Sequence, residues 1–263
     1  MIRDITIGQY YPTDSRIHKL DPRAKILSTF AYILALFLVE GYIGYVLIAA
    51  FVYGVTKVAK IPLRFILKGL RAIFVIILFT VVLNVFMAPG ETVLYRLGWL
   101  KVTLEGLELA LKMVSRLVLL IVGSSLLTLT TSPIELTDGI EALLKPFRKI
   151  GVPAHEIAMM MSISLRFIPI LLEETDKIMK AQMARGADFE SGGIIKRAKA
   201  LIPILVPLFI SAFRRADELA MAMEARCYRG GENRTRMKQL VLEKNDYMAG
   251  IIMCMLIIIA ILL

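Results

Sequence analysis

Five stretches of the chain carry no charged residue: 26–39, 41–56, 72–87, 117–134 and 247–263. Each is 14 to 18 residues long, slightly short of the roughly 20 that a helix needs to cross about 30 Å of hydrocarbon. Long-stemmed cations at their edges, Lys25, Lys57, Arg71 and Arg116, are expected to extend that reach by snorkelling toward the headgroups. Only Glu40-Gly41 separates the first two stretches. One helix through all of 26–56 would be about 46 Å long at 1.5 Å per residue, too long for one crossing, so a hairpin turning at Glu40-Gly41 is expected. Buried helices of a water-soluble protein are the other reading of such runs. Five of them, ending in IIMCMLIIIAILL, favour the bilayer.

Composition agrees. The 263 residues are 57% hydrophobic and 21% charged, with a mean hydropathy of +0.70. Soluble domains run at about 45–50% apolar and about 25% charged. A secreted or water-soluble enzyme is thereby disfavoured, and no charged-apolar-small leader is read at the start. Two cysteines, Cys227 and Cys254, and two isolated histidines, His18 and His155, argue against a disulfide framework and against a Cys/His metal site.

Five crossings place the two ends on opposite sides, and the basic residues choose between them. Residues 1–25 carry five lysines and arginines, 57–71 carry five with no acid, and 135–246 carry eighteen. Only Arg96, Lys101, Lys112 and Arg116 fall on the other side. Positive charge stays inside, so the N-terminus, the 57–71 loop and the 135–246 region are expected in the cytoplasm and the C-terminus outside. The chain then reads as an all-α integral protein of the cell membrane: four crossings in 1–132, cytoplasmic-face helices in 133–246, and a fifth crossing in 247–263.

The 133–246 region is no linker. Ser132-Pro133-Ile134-Glu135 is a capping box with proline at the first helical position, and Lys145-Pro146 is expected to stop that helix. A second helix runs from Ala154 to Arg185 and ends at Gly186; a third runs from near Gly193 to about Arg226. Both are amphipathic and about 45–50 Å long. The charge-free block 201–213 contains Pro203 and Pro207, which kink a helix or force local repair. These helices read as lying along the inner membrane face, with a sixth and seventh crossing as the rival. Met159, Met160, Met161, Met179, Met183, Met221 and Met223 cluster here, which suits an adaptable binding face or ordinary core packing. With 18 basic against 15 acidic residues in 135–246, nucleic-acid binding is not indicated.

Both long helices close on an arginine between small residues: Ala184-Arg185-Gly186 and Ala225-Arg226-Cys227. Such an end lets another backbone approach while a guanidinium reaches to carboxylates or carbonyls. Ordinary helix termination accounts for one copy equally well, since cations suit the C-terminal dipole and glycine stops helices. Arg166, with Glu173 seven positions on along one face and Glu174 beside it, suggests an internal or interhelical ion pair. Asp14, Ser15 and His18 match a catalytic trio in composition only; the segment reads as a structured cap in which Asp21 and Pro22 start the first crossing. Neither G-x-x-x-x-G-K-[ST] nor G-x-G-x-x-G occurs, so no nucleotide site is legible. Asn84 is the most polar mid-helix residue and offers no ion relay. A membrane enzyme using His18 or His155 and a self-contained secondary carrier are the two rival functions.

The pattern G-x-Y-x-P-x-D-S-x-I-H-x-L-D-P-R over Gly8–Arg23 resembles the transmembrane T component of energy-coupling factor transporters. So do Thr131-Ser132-Pro133, the run Leu165-Arg166-Phe167-Ile168-Pro169 and the two arginine segments; the resemblance covers roughly residues 8–230. Cys227 departs from it, standing where glycine or serine is commoner. The resemblance implies a subunit that joins two cytoplasmic ATPases of the ABC type to a small membrane S component, which captures a vitamin or a metal ion. It implies that the two long helices are coupling helices. Residues 184–186 and 225–227 would each dock in an ATPase groove. Apolar faces that include Met159, Met160, Met161, Leu201, Pro203 and Pro207 would carry the S component. It implies no cofactor on this chain, with ATP and Mg²⁺ held by the partners.

Overall fold

A computed structural model describes residues 10–87, 92–97, 100–189, 193–231 and 239–262; Gly8 of the N-terminal pattern lies outside them. The chain divides into two compact units. One holds the described residues up to 139 together with those from 239 onward, and the other holds those from 140 to 231.

The first unit is a helix bundle. α1 (Pro22–Leu38) and α2 (Tyr42–Ala59) form the expected hairpin, with Gly41 as the N-cap of α2. α3 (Leu63–Met87) follows almost at once. The 57–71 stretch is therefore no loop: it is the end of α2, a turn at left-handed Lys60, and the first half of α3. That half, Leu63–Arg71, meets Ile73–Phe86 at 60°. A cation-rich half-helix thus precedes the apolar half. After α3 comes a hairpin that the hydropathy pattern did not suggest: β1 (Val93–Leu97) and β2 (Leu100–Thr103) pair antiparallel. Strands this short leave too few positions for alternation to register. Thr103 ends β2 and caps α4 (Leu104–Thr130), accepting from the Gly106 N–H at 3.1 Å. α8 (Lys244–Leu262) completes the bundle.

Leu36 of α1, Val39 just after it and Ile48 of α2 are fully buried in one core with Leu126 and Leu129 of α4, which packs on both helices, and Met253, Leu256 and Ala260 of α8. The outward faces stay apolar: Phe30, Phe37, Ile43, Phe74, Val75, Phe79, Ile251 and Ile258 are all exposed. A contiguous surface of that kind is untenable in water and is what lipid requires. Four helices, α2, α4, α8 and a second-unit helix described below, are long and apolar enough to cross, and bent α3 makes a fifth candidate. The chain is an all-α, multi-pass integral membrane protein.

One end of this bundle is tied by polar groups. The Asp21 N–H donates to Asp246 Oδ1 (2.8 Å), and the Glu243 N–H donates to Oδ2 (2.7 Å). Arg23 grips Asp21 through Nε and Nη2 (3.0 and 2.8 Å) and also reaches the Leu240 carbonyl. α1 and α8 consequently start at the same face. α4 ends there, because the Tyr11 N–H donates to the Leu129 carbonyl (3.0 Å) and Lys25 Nζ donates to the Thr130 and His18 carbonyls (3.0 and 2.8 Å).

Two of the cations expected to snorkel do not. Lys25 is buried and spent on those carbonyls. Arg116 donates to the Val39 carbonyl at the end of α1 (3.2 Å) and lies over the Phe37 and Tyr45 rings. Both fill orphan helix-end acceptors instead of reaching lipid. Asn84 is equally local, donating to the Thr80 carbonyl (2.8 Å).

The N-terminal segment is the cap the sequence suggested. Ser15 is buried, with Oγ 2.7 Å from His18 Nδ1, while His18 Nε2 lies 3.0 Å from the Tyr11 carbonyl and so carries the proton. Asp14 pairs with Lys19 instead of the imidazole (2.9 Å). Burial holds His18 below the usual imidazole pKa, against the Tyr11 bond, which raises it. A histidine so depressed supports the fold at neutral pH, and that support is lost as pH falls below about 6.5. Thermal midpoints in detergent should drop between pH 7.5 and 5, and the drop should shrink in His18→Gln.

Candidate functional site

The second unit holds the long helices. α5 (Pro133–Leu144) begins in the first unit with its capping box formed: the Ser132 N–H donates to Glu135 Oε2, and the Glu135 N–H donates to Ser132 Oγ, both at 3.3 Å. α5 stops at Leu144, where Lys145-Pro146 was expected to end it, and a separate 3₁₀ turn, Lys145–Ile150, follows, with proline at an early position that suits it. Gly151, at φ +90°, then allows the break before α6 (Ala154–Ala184). α7 (Ile194–Ala225) follows from its N-cap Gly193. At 31 and 32 residues these are the longest helices described, close to 47 Å each. α6 meets the length and hydropathy of a membrane span and α7 does not.

α6 and α7 end in the same geometry. Arg185 is the C-cap of α6, with φ −87° and ψ 6°, and Arg226 is the C-cap of α7, with φ −90° and ψ 12°. The next residue is left-handed in both: Gly186 at φ +87° and Cys227 at φ +56°. The closing hydrogen bonds also match. The Gly186 and Ala187 N–H groups donate to the Met183 and Gln182 carbonyls (2.9 and 3.0 Å). Those of Cys227 and Tyr228 donate to the Glu224 and Met223 carbonyls (2.8 and 3.0 Å). Each set is a complete Schellman turn. It satisfies the last carbonyls without the arginine, so the guanidinium is left over.

All six residues, Ala184, Arg185, Gly186, Ala225, Arg226 and Cys227, are exposed, and among the described residues neither guanidinium has a partner. Cys227 occupies a position whose backbone favours glycine, which is the physical reason glycine suits it. Cys227→Gly should relieve about 1 kcal/mol of local strain. Hydrogen exchange of the 223–228 amides should slow roughly fivefold.

The two helices pack against each other along a cavity of about 300 Å³. Ile163, Phe167 and Leu171 line it from α6; Ala212, Ala216 and Leu219 are among its α7 lining. Arg215 Nη2 donates to Glu174 Oε2 across the contact (3.2 Å). Arg166 and Glu173 form no internal pair with each other; the interhelical pair in this group is the one at Glu174. A separation of seven is two turns, about 10 Å along the axis, and the acid beside Glu173 meets α7 instead. His155, at the start of α6, lies 3.1 Å from Glu141 and packs so closely on Gly231 that a Cβ there would be 2.5 Å from the ring.

Of the apolar positions singled out from sequence, Met160 and Leu201 are exposed, as are Pro203 and Pro207, while Met159 and Met161 are half-buried. A broader exposed surface was missed: Ile202, Val206, Phe209, Ile210 and Phe213 on α7. Its signal was the charge-free block itself, read for its prolines and not for its aromatics.

Comparison with known proteins fits this geometry. The CbiQ family model, described as cobalt transport protein, matches residues 13–237. A protein of Thermosediminibacter oceani is 62% identical over 250 residues, covering 95% of this chain and 94% of its own. One of Clostridium kluyveri is 62% identical over 263 residues, covering 100% and 97%, and one of Bacillus subtilis is 48% identical over 262, covering 100% and 98%. All three bear the name energy-coupling factor transporter transmembrane protein EcfT.

This chain belongs to the CbiQ/EcfT family. The match takes in the capped N-terminal segment, α5 and both arginine ends. It makes the exposed arginines of a CbiQ/EcfT protein features of a transporter's membrane component, with the fold described above as their support.

Proposed function

We propose that this chain is the coupling subunit of an ATP-driven importer, carrying movement from two cytoplasmic ABC-type ATPases to a membrane S component that captures a vitamin or a metal ion. The observation that carries the reading is the repeated helix end: the same Schellman turn twice, each with an exposed guanidinium that has no partner among the described residues. Two like ends suit two like partners. A planar cation at such an end forms bidentate bonds to a carboxylate, and the small residues beside it, Ala184 with Gly186 and Ala225 with Cys227, let the partner's backbone come close.

ATP and Mg²⁺ belong to the ATPases in this reading, supported by a sequence that carries neither G-x-x-x-x-G-K-[ST] nor G-x-G-x-x-G. The exposed apolar face of α7, with Leu201, Pro203 and Pro207, together with Met159, Met160 and Met161 of α6, takes the S component. Both helices lie along the inner face of the membrane, and α6's span-like hydropathy reflects apolar contact with that partner and with lipid. The N-terminus is cytoplasmic and the C-terminus outside, following the basic residues.

The test is a pull-down of the tagged chain from mild-detergent membranes, with its companions identified by mass. Two ABC-type ATPases and a small membrane protein are expected. Recovery of neither ATPase would overturn the reading.

A further inference from the structure

The likeness of α6 and α7 extends beyond their ends. Shifted by 41 positions, Asp176 falls on Asp217, Ala181 on Ala222, Ala184 on Ala225 and Arg185 on Arg226. Over the same shift, Glu173-Glu174 falls on Arg214-Arg215, and Lys177 falls on Glu218. The helices carry one pattern with its central charges inverted. The ion pair that joins them is Glu174 to Arg215, itself 41 apart, so it links the same position of the pattern on both helices. Identical charges would repel there; the inversion makes them attract.

From that point the arginine ends are equally distant. Arg185 is 185 − 174 = 11 residues on, and Arg226 is 226 − 215 = 11 residues on, which is three turns or about 16 Å of helix in each case. The apolar packing nearby is poorly suited to fixing the crossing. It leaves the cavity of about 300 Å³ between Ile163, Phe167 and Leu171 of α6 and Ala212, Ala216, Leu219, Ala220 and Met223 of α7, so this part of the contact is incompletely filled. The ion pair, only 36% and 28% exposed, is the specific link. Polar pairs at otherwise permissive helix contacts are well suited to fixing register.

We propose that Glu174 and Arg215 are positioning residues that form the fulcrum of the two coupling helices. The pair pins the crossing at matching points, so the arginine-tipped ends are arms of equal length that move together. This rests on the coupling role proposed above.

The experiment uses the full chain purified with its ATPases, with spin labels on Ala181→Cys and Ala222→Cys after Cys227 and Cys254 are changed to serine. Pulsed electron resonance then reads the distance between the arms with and without ATP. In the otherwise unaltered chain a narrow distribution that shifts with ATP is expected. In Glu174→Arg the width should at least double and the shift fall below half. The exchange Glu174→Arg with Arg215→Glu should restore both.

An unchanged width and shift in the single reversal would overturn the fulcrum, and so would an exchange that restores neither. Should the reversal fail to accumulate in membranes, Glu174→Gln and Arg215→Gln carry the same test without introducing repulsion. Wild-type width and shift in both of these would again overturn the proposal. Retained ATPases with unaltered arms would sink the fulcrum alone, whereas ATPases missing from the unaltered chain would sink the coupling role itself.

Discussion

Arg185→Glu with Arg226→Glu should release the ATPases while leaving the chain inserted and folded. Losing one partner of a desolvated charge pair typically costs 2–5 kcal/mol of binding, and reversal adds repulsion. Each end alone should weaken retention on the order of 100-fold, and the double variant should retain no detectable ATPase in the pull-down. The folded state has little reason to object. Both side chains are exposed, neither bonds within the described chain, and the closing turn uses backbone groups alone. Placing an acid at a helix C-terminus costs only about 0.3–1 kcal/mol. Arg→Gln at both positions separates that small cost from the loss of docking, since it keeps the helix ends neutral. Arg→Lys should restore part of the retention, because it returns charge without the planar fork.

Gly123→Ala should damage the membrane bundle more than alanine at any other glycine described there. A Cβ at Gly123 would fall 2.1 Å from Tyr32 Cε1 and 2.6 Å from Cζ. Tyr32 is 4% exposed and its hydroxyl donates to the Leu119 carbonyl at 2.8 Å, so the ring can turn away only into the cavity of about 380 Å³ that it lines, giving up that bond. α1 and α4 must move apart or the tyrosine must leave its bond. Overpacking of this kind costs about 3 kcal/mol, which for a chain of this size lowers the thermal midpoint by roughly 10 °C. Tyr32→Leu added to Gly123→Ala should recover more than half of the loss, because it removes the ring the methyl strikes. Equal destabilisation in the double variant would show that the cost arises elsewhere.

Local chemistry was legible in the sequence wherever a residue's effect stays close to it. Glu40-Gly41 marked the first turn, Ser132 with Glu135 marked the start of α5, and Gly186 and Arg226 marked the ends of α6 and α7, because caps and breaks act over three or four residues. What a cation does at the membrane edge depends on a neighbour far along the chain. Lys25 and Arg116 were read as reaching for headgroups, yet each satisfies a distant carbonyl, Thr130 and Val39 respectively. The β1–β2 hairpin was too short to show as a pattern. Arg166, Glu173 and Glu174 suggested an ion pair within or between helices, and only the crossing of α6 and α7 shows that Glu174 makes it, with Arg215. For the arginine ends the sequence supplied residue types and spacing. The structure adds that both close by the same turn, that neither guanidinium has a partner among the described residues, and that each arginine lies eleven residues beyond its own helix's member of one ion pair.

The central claim is that these two ends touch the ATPases. A photo-cross-linking residue placed in turn at Ala184 and Ala225, both exposed beside the arginines, tests it directly in intact membranes. Irradiation should join this chain to an ABC-type ATPase from each position, and far less from the exposed control Ile150. Cross-links from neither position to an ATPase, with the chain normally inserted, would contradict the account.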